Sequence, residues 1–283
     1  VYYDKWTELY QQGKSVGEIA NMYGCSRTPV SRYLLSIGIV RKPSDARTLK
    51  SRIRDTNKCY HFFDNVDTED KAYLIGLILA DGCITIRKGT KILSIELEYT
   101  DSYMIDKIAN IFNRKSYDTI HTIRGKKCTS NQTYVVSNHL CETLMSYGIL
   151  PRKSKSNNDS IVSNFISHDC IRHFIRGIID GDGSIGCNTT IGDNGKHKIS
   201  RRISVYGTYY NVKMVSEILV SIGCRTPTIY HQKNLTYSVG WYSKKDISLI
   251  INYIYKDANI YLSRKKDIAD RLLNTYKEAH HGC

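Results

Sequence analysis

Two apolar segments about a hundred residues apart follow nearly the same pattern, residues 74–82 (LIGLILADG) and residues 175–183 (IRGIIDGDG). Each has two small residues four positions apart and ends in Asp-Gly. The small residues are Gly76 and Ala80 in the first segment and Gly177 and Gly181 in the second. Residues four apart share one face of a helix, so each segment predicts an apolar helix with a flat stripe. Two such stripes can pack backbone to backbone, which would place Asp81 and Asp182 side by side.

The chain is strongly basic. Of its 283 residues, 41 are Lys or Arg and 27 are Asp or Glu, for a formal net charge of +14. Hydrophobic residues make up 41%, which is typical of a globular protein rather than a disordered one. A basic globular chain favours an acidic partner, and 22 Tyr against 5 Phe supply rings that stack and hydrogen-bond. Together with paired carboxylates, this composition predicts a metal-dependent enzyme that acts on a polyanion.

The nine cysteines are scattered and include no Cys-x-x-Cys pair. An odd number without metal-ligand spacing argues against a disulfide framework and against a structural zinc site built on cysteine. No apolar run reaches the roughly 18 residues needed to span a bilayer, and no signal peptide is recognisable. The sequence therefore predicts an intracellular, non-secreted protein without a membrane partner.

The two segments resemble the LAGLIDADG motif of homing endonucleases, in the form that carries two motifs in one chain. The match covers the small residues and the closing Asp-Gly of both copies. The resemblance implies an α+β fold with two pseudo-symmetric αββαββα halves, preceded here by a small all-α helix-turn-helix domain. We expect the helix-turn-helix domain at residues 1–40, a basic linker at 41–58, and the two halves at 59–155 and 156–283. A pseudo-twofold of this kind suits a DNA duplex.

The first forty residues read as a small helical module. Ser15 and Glu18 form a capping-box pattern that predicts the start of a second helix, and Gly24 marks a turn before a third. This order resembles the helix-turn-helix of recombinases and transposases, whose third helix enters the major groove. The residues predicted to face the groove are Arg27, Thr28, Ser31 and Arg32. The alternative is a helical hairpin that serves only packing.

Residues 41–58 are polar and basic, which is typical of a linker. The basic side chains predicted to contact DNA are Arg41, Lys42, Arg47, Arg52 and Arg54. They would follow phosphates or enter a minor groove. The alternative is a solvated linker without a role in binding.

Within each half, the hydrophobic pattern predicts a motif helix, two strands, a helix, two strands and a last helix. In the first half the helices are 67–81, 103–112 and 139–147, and the strands are 83–87, 93–99, 119–123 and 133–136. In the second half the helices are 171–182, 211–222 and 245–255, and the strands are 183–191, 199–206, 228–231 and 235–241. Lys88-Gly89 predicts a hairpin turn, and residues 258–265 are expected to form a tail.

Asp81 and Asp182 are the candidate metal ligands. Each would lie at the C-terminal end of its helix, where the helix dipole favours cations. Two carboxylates so close repel each other unless a cation lies between them. Oxygen ligands with room for water suit Mg²⁺, so we expect two or three divalent ions held by both aspartates and the backbone carbonyls of Ala80 and Gly181. The alternative is that both aspartates only end their helices in glycine turns.

The resemblance also implies a lysine near the end of each half, close to the scissile phosphates. By position after the last helix these are Lys153 and Lys265, with Lys155 and Lys266 as neighbouring alternatives. Such a lysine would stabilise the pentavalent phosphate electrostatically or polarise a water molecule. The predicted catalytic set is therefore Asp81, Asp182, Lys153 and Lys265.

The resemblance further implies that the four strands of each half form a saddle over the major groove, with outward side chains reading bases. The candidates in the first half are Thr85, Arg87, Glu96, Glu98, Arg124, Lys126 and Lys127. The candidates in the second half are Ser184, Asn188, Thr190, Arg202, Ser204, Tyr230 and Gln232. Glu96 and Glu98 would accept from cytosine amino groups or form salt bridges with neighbouring Arg or Lys.

The function that these features predict is a monomeric, site-specific DNA endonuclease that cuts both strands of a long asymmetric duplex site. The resemblance implies cleavage across the minor groove with 3′ overhangs. It also implies a gene in a mobile intron, an intein, or a free-standing phage or organelle gene, and so a bacterial or phage-infected cytoplasm or an organelle. Two alternatives from other classes are a non-catalytic DNA-binding regulator and an RNA maturase that binds its host intron RNA.

Overall fold

A computed structural model of the chain describes residues 2–39, 58–123, 125–152, 161–191 and 197–278. The chain divides into two compact units, Val1–Tyr60 and His61–Cys283. The predicted linker residues Arg41, Lys42, Arg47, Arg52 and Arg54 lie outside the described residues.

Within residues 2–39, the first unit has three α-helices, α1 (Tyr3–Gln11), α2 (Val16–Met22) and α3 (Arg27–Ser36). The predicted capping box is present, because the Glu18 N–H donates to Ser15 Oγ at 3.2 Å and the Ser15 N–H donates to Glu18 Oε2 at 2.7 Å. Each helix contributes buried side chains to one small core. The core residues are Trp6, Tyr10, Ile19, Ala20, Val30 and Leu34.

The second unit contains two copies of the predicted αββαββα order. The first copy consists of α4 (Glu69–Asp81), β1 (Gly82–Arg87), β2 (Thr90–Glu98), α5 (Ser102–Ile111), β3 (Tyr117–Ile123), β4 (Lys126–Val136) and α6 (Asn138–Ser146). The second copy consists of α7 (Ile171–Asp182), β5 (Gly183–Ile191), β6 (His197–Gly207), α8 (Tyr209–Ser221), β7 (Tyr230–His231), β8 (Tyr237–Trp241) and α9 (Lys244–Tyr255), followed by α10 (Ser263–Glu278). Among the described helices, none combines the length and apolar character needed to cross a membrane.

Each copy forms one four-stranded antiparallel sheet, in the orders β1-β2-β4-β3 and β5-β6-β8-β7. Side chains of a strand alternate between two faces, and in β1 and β2 the buried side chains are those of Ile84, Leu93, Ile95 and Leu97. The opposite face of each sheet, here called the open face, carries mostly polar side chains. The β1–β2 hairpin turns at Lys88 and Gly89 with φ of 48° and 79°, which confirms the predicted two-residue turn.

Three elements differ from the sequence-based prediction. Residues 258–265 were expected to be a tail, but α10 begins at Ser263 and continues to Glu278. The strand expected at 133–136 begins already at Lys126, because its polar first part pairs with β3. Conversely, the strand expected at 228–231 is shortened to Tyr230–His231.

The two copies meet along their motif helices, α4 and α7, which we call the central helices. Just before them, Val66 and Ile166 pair as a parallel bridge, and the Ser167 N–H donates to the Val66 carbonyl at 3.1 Å. The chain therefore enters the two central helices side by side, as expected for a pseudo-twofold arrangement.

Candidate active site

The central helices touch through their backbones at the two middle glycines. A Cβ atom built on Gly76 would lie 2.2 Å from the carbonyl oxygen of Phe174, and one built on Gly177 would lie 2.1 Å from that of Tyr73. Ordinary contacts of a Cβ begin at 3.4 Å, so no side chain fits at either position. The small residues of the repeat therefore perform the predicted task and let the helix backbones meet.

The C-terminal ends of the two helices are also in contact. A Cβ on Gly181 would lie 2.3 Å from the Ala80 Cβ and 2.9 Å from Asp81 Oδ2, so the Asp81 carboxylate rests against the backbone of the partner helix. Asp81 is exposed, and Asp182 is half-buried. The structure thus brings together, at one end of the helix pair, both predicted aspartates and the two residues whose carbonyl oxygens were predicted as metal ligands.

Both helices end in the same way. The N–H of Gly82 donates to the Ile78 carbonyl and the N–H of Gly183 donates to the Ile179 carbonyl, after which the chain continues directly into a strand. A Cβ on Gly82 would lie 2.6 Å from the Ile78 oxygen, and one on Gly183 would lie 2.4 Å from the Ile179 oxygen. Glycine after each aspartate is therefore required by the sharp turn, which holds the two carboxylates at equivalent places.

The donor set of this site fits a hard divalent cation. It offers carboxylate oxygens from Asp81 and Asp182 and, at the helix ends, the carbonyl oxygens of Ala80 and Gly181. Oxygen ligands with open positions for water are those that Mg²⁺ prefers. The partial negative charge at two helix C-termini favours the same cation.

Lys265 caps the C-terminal end of α7. Its Nζ donates to the carbonyl oxygens of Ile179 at 2.8 Å, Asp180 at 2.5 Å, Gly181 at 3.3 Å and Gly183 at 2.7 Å. Three of these carbonyls belong to the last turn of α7, where most acceptors lack partners in the helix itself, and the fourth belongs to the first residue of β5. Burial lowers the pKa of Lys265 to about 8, although the charges of Asp180 and Asp81 act to raise it. The ammonium group is therefore fixed at the end of α7, where the charge of Asp81 acts on it.

The neighbouring alternative Lys266 points elsewhere, because its Nζ donates to the carboxylate of Asp270 at 2.5 Å. Lys153 and its neighbour Lys155 lie outside the described residues. Of the two lysines considered for the second half, the structure places only Lys265 at the helix ends.

A buried network around Asp180 was not predicted. Asp180 has no exposed surface, and its carboxylate accepts from the hydroxyls of Tyr73 at 2.9 Å and Tyr255 at 2.8 Å and from the Leu262 N–H at 2.8 Å. Burial raises the pKa of Asp180, whereas the hydrogen bonds from Leu262 and Tyr255 lower it. The equivalent residue of the first copy is Leu79, so only the second copy supplies a carboxylate at this position.

Arg176 extends the network to Glu69 at the start of α4. It is fully buried and donates to the carbonyls of Ile260 and Ile254 at 2.8 and 2.7 Å and to Glu69 Oε1 at 2.6 Å. Glu69 also accepts from the N–H of Asn259 at 2.7 Å. The network therefore joins the start of α4 to the middle of α7 and to the segment that leads into α10. The signal in the sequence was two charged residues inside an otherwise apolar helix.

The predicted base-reading residues of the first sheet lie mostly on its open face. Thr85 and Arg87 alternate with buried Ile84, and Glu96 and Glu98 alternate with buried Leu97. Glu96 accepts from His121 Nε2 at 2.5 Å and from the Ser130 hydroxyl, so its neighbour is a histidine rather than the expected Arg or Lys. The hydrogen bond from Ser130 lowers the pKa of Glu96 more than burial raises it.

Two of the predicted residues in the β3–β4 hairpin cannot share one face. Lys126 and Lys127 are both exposed, but they are adjacent in β4 and so point to opposite sides. Arg124 lies outside the described residues. An exposed pair that the sequence did not single out, Tyr117 and Tyr134, stacks with ring centroids 5.5 Å apart.

The predicted base-reading residues of the second sheet differ in how exposed their side chains are. Arg202 and Tyr230 are exposed, whereas Ser184 is half-buried. Ser204 lies between buried Ile203 and Val205 and is only 4% exposed, so little of its surface is accessible. The remaining three base-reading candidates are Asn188, Thr190 and Gln232. Asn188 and Thr190 lie in β5 with side chains outside the described part, and Gln232 is exposed and donates to Ser238 Oγ at 2.6 Å.

In the first unit, the four residues predicted to face DNA lie together. Val30 and Leu34 point into the core, and the other side of α3 lines a shallow groove with Val16 of α2. The groove residues from α3 are Arg27, Thr28, Ser31 and Arg32. Three of these are exposed and Ser31 is half-buried, so all four are accessible to a ligand.

Comparison with known proteins places the fold. No protein-family model matches the sequence, and no curated protein matches it. Among solved structures, a lysine-to-alanine mutant of I-SmaMI superposes with a TM-score of 0.51 at 14% identity, over 74% of this chain and 92% of that chain. The LAGLIDADG homing endonuclease I-SmaMI bound to cleaved DNA superposes with a TM-score of 0.51 at 15% sequence identity. This superposition covers 74% of this chain and 90% of that chain. The LAGLIDADG homing endonuclease I-GzeII in complex with its DNA target superposes with a TM-score of 0.50 at 15% sequence identity, over 74% of this chain and 91% of that chain. The chain therefore has the LAGLIDADG homing endonuclease fold.

Proposed function

We propose that this chain is a site-specific double-strand DNA endonuclease that hydrolyses phosphodiesters with Mg²⁺ or a similar divalent ion. The observation that carries the proposal is the contact of two Asp-Gly helix ends, with Asp81 held against the backbone of Gly181. The fold shared with DNA-bound homing endonucleases and the net charge of +14 support duplex DNA as the substrate. Because one chain supplies both halves, we propose a monomer that acts on a long asymmetric site.

In this proposal, Asp81 and Asp182 would hold the metal, and the carbonyls of Ala80 and Gly181 would add oxygen ligands. The bound ions would activate water, neutralise the attacked phosphate and stabilise the leaving oxygen. Lys265 holds positive charge next to the developing phosphate charge. Lys153 is proposed to take the same role in the first half.

The open faces of the two sheets are the proposed surface for base recognition. Arg87 and Arg202 would donate to guanine, which is a common specific contact of arginine in the major groove. The Glu96 carboxylate is held in its ionised form by Ser130 and His121, and so offers an acceptor for a cytosine amino group. The first unit would extend the contact through the groove-lining residues of α3, and residues 41–58 would follow phosphates.

The proposal is tested by cleavage of a randomised duplex DNA library with Mg²⁺, comparing the wild type with Asp81→Asn and Asp182→Asn. The matched control is Asp70→Asn, because Asp70 is an exposed carboxylate at the opposite end of α4. Discrete double-strand cuts by the wild type and the control, and none by the other two variants, are the expected result. Binding measured without divalent ion separates loss of catalysis from loss of affinity.

Two other outcomes would overturn the proposal. A wild type that selects one duplex sequence but never cuts it would identify a DNA-binding regulator with a scaffold of paired aspartates. Tight binding of structured intron RNA without cleavage of duplex DNA would identify a maturase.

A further inference from the structure

Two histidines and one aspartate of the second unit direct their ligand atoms at one another, apart from the paired aspartates. His61 Nδ1 lies 2.7 Å from Asp64 Oδ2, and His139 Nε2 lies 2.7 Å from Asp64 Oδ1. One ligand atom from each of the three residues lies within 4.8 Å of the others. Within the described part of the chain, no other group of three His, Cys, Asp or Glu side chains brings its ligand atoms this close. We propose that His61, Asp64 and His139 bind a Zn²⁺-class transition-metal ion.

The backbone on both sides of this cluster is anchored. Phe63 is fully buried, and its carbonyl accepts from the Tyr147 hydroxyl at 2.7 Å, which fixes the segment that carries His61 and Asp64. His139 lies in the first turn of α6, next to fully buried Leu140. The ligands therefore need only side-chain adjustment to bind an ion, and little conformational entropy is lost on binding.

The spacing of the three groups suits a tetrahedral ion. At metal–ligand distances of 2.0–2.2 Å, ligand atoms around tetrahedral Zn²⁺ lie roughly 3.3 Å apart. The two His–Asp distances of 2.7 Å are shorter than this, so small side-chain rotations that move the imidazoles away from the carboxylate would bring the ligand atoms to the required spacing. The His61 and His139 rings lie 4.1 Å apart, centroid to centroid, and turn towards opposite oxygens of the same carboxylate.

The chemistry of the ligands selects the class of ion. Two imidazole nitrogens and one carboxylate oxygen favour Zn²⁺ and neighbouring transition metals, whereas Mg²⁺ and Ca²⁺ prefer oxygen alone. The three side chains are between 36% and 44% exposed, so water can complete the coordination. The ion would tie the first residues of the second unit to α6. This site is independent of the proposed nuclease activity, since it uses none of the residues proposed for catalysis.

The test is titration of the full chain with Zn²⁺ and with Co²⁺, whose visible spectrum distinguishes nitrogen and oxygen ligands from the thiolates of the cysteines. The variants are Asp64→Asn and the double variant His61→Gln with His139→Gln. The matched control is His121→Gln, which removes another exposed histidine that contacts a carboxylate, Glu96, but without a second histidine. Circular dichroism and the urea midpoint of each variant without metal show whether it folds.

We expect the wild type and the control to bind one equivalent with a nitrogen- and oxygen-ligand spectrum. Affinity should fall at least about tenfold in the variants, because even the loss of an outer partner of a metal ligand costs 10–100-fold. Crystals of the wild type soaked in Zn²⁺ give a second readout that needs no variant, an anomalous peak among the three side chains. Equal affinity in all proteins, or strong anomalous peaks only elsewhere, would show that Asp64 merely bridges two histidines.

Discussion

Replacing Gly177 with alanine tests whether backbone contact between the central helices holds the two aspartates together. A Cβ at this position would lie 2.1 Å from the Tyr73 carbonyl oxygen and 2.8 Å from the Leu77 nitrogen, where ordinary contact begins at 3.4 Å. Both obstacles are backbone atoms, so no side-chain rotation makes room. The helices must therefore separate by about 1 Å in a core that is packed without free space.

The size of the effect follows from two opposing contributions. Overpacking of a core costs about 1–3 kcal/mol, and occasionally more, as we expect where the backbone itself must move. Alanine is better than glycine within a helix by about 1 kcal/mol, which acts in the opposite direction. We expect Gly177→Ala to lower the free energy of unfolding by about 2 kcal/mol or more. A displacement of the paired carboxylates by about 1 Å should also reduce cleavage by roughly 100-fold.

The assay is urea unfolding followed by tryptophan fluorescence, together with single-turnover cleavage. The sequence has two tryptophans, and Trp6→Phe in every protein leaves buried Trp241 as the reporter of the second unit. The control is Gly186→Ala in β5, where a Cβ meets nothing within 4 Å, so stability should be unchanged or slightly higher. If Gly177→Ala is as stable and as active as the control, the reasoning from backbone contact is wrong.

Three further predictions concern other parts of the molecule. Asp180→Leu removes the acceptor of three buried donors, and each donor left unsatisfied costs about 1–3 kcal/mol. Urea unfolding should therefore show that the free energy of unfolding falls by at least about 3 kcal/mol, and by less for Asp180→Asn. A fall below about 1 kcal/mol for Asp180→Leu would contradict this. Burial lowers the pKa of His173 to about 4, so the unfolded chain takes up a proton first as the pH falls from 6.5 towards 4, and stability should fall in that window. His173→Gln should flatten this part of the pH profile, and an unchanged slope would show that another group causes it. The double variant Arg27→Ala with Arg32→Ala should weaken DNA binding. It should also reduce the slope of log affinity against log salt concentration by about 1 for each phosphate that the arginines no longer neutralise. An unchanged slope would show that α3 does not contact DNA.

The repeat made the centre of the fold predictable from sequence. The second central helix has the predicted bounds, Ile171–Asp182, because its apolar run ends abruptly at Asp-Gly. The pairing of the helices followed from small residues, whose effect on packing is local and depends on spacing alone. Helix α10 was missed because its first turn, from Ser263, is mostly charged, and its buried residues become apparent only once it packs on the rest of the unit.

The surroundings of the site depend on long-range contacts that no local pattern contains. Asp180 and Arg176 are visible in the sequence as charges in an apolar segment, yet their partners come from α4, 107 residues earlier, and from a segment about eighty residues later. Likewise, Asp64 and His139 are separated by 75 residues and meet only because α6 folds back on the start of the unit. Which side chains of a strand are covered, as at Ser204, is also decided by tertiary packing.

The network of Arg176 and Glu69 makes the two halves complementary instead of interchangeable. In the first copy, the position equivalent to Arg176 is Ile75, so a homodimer of first halves would bury no guanidinium opposite Glu69. A homodimer of second halves would bury two guanidinium groups without this carboxylate, at a cost of several kcal/mol. Recombination of this second half with the first half of a related protein therefore has to bring a carboxylate at the position of Glu69, or remove Arg176 at the same time.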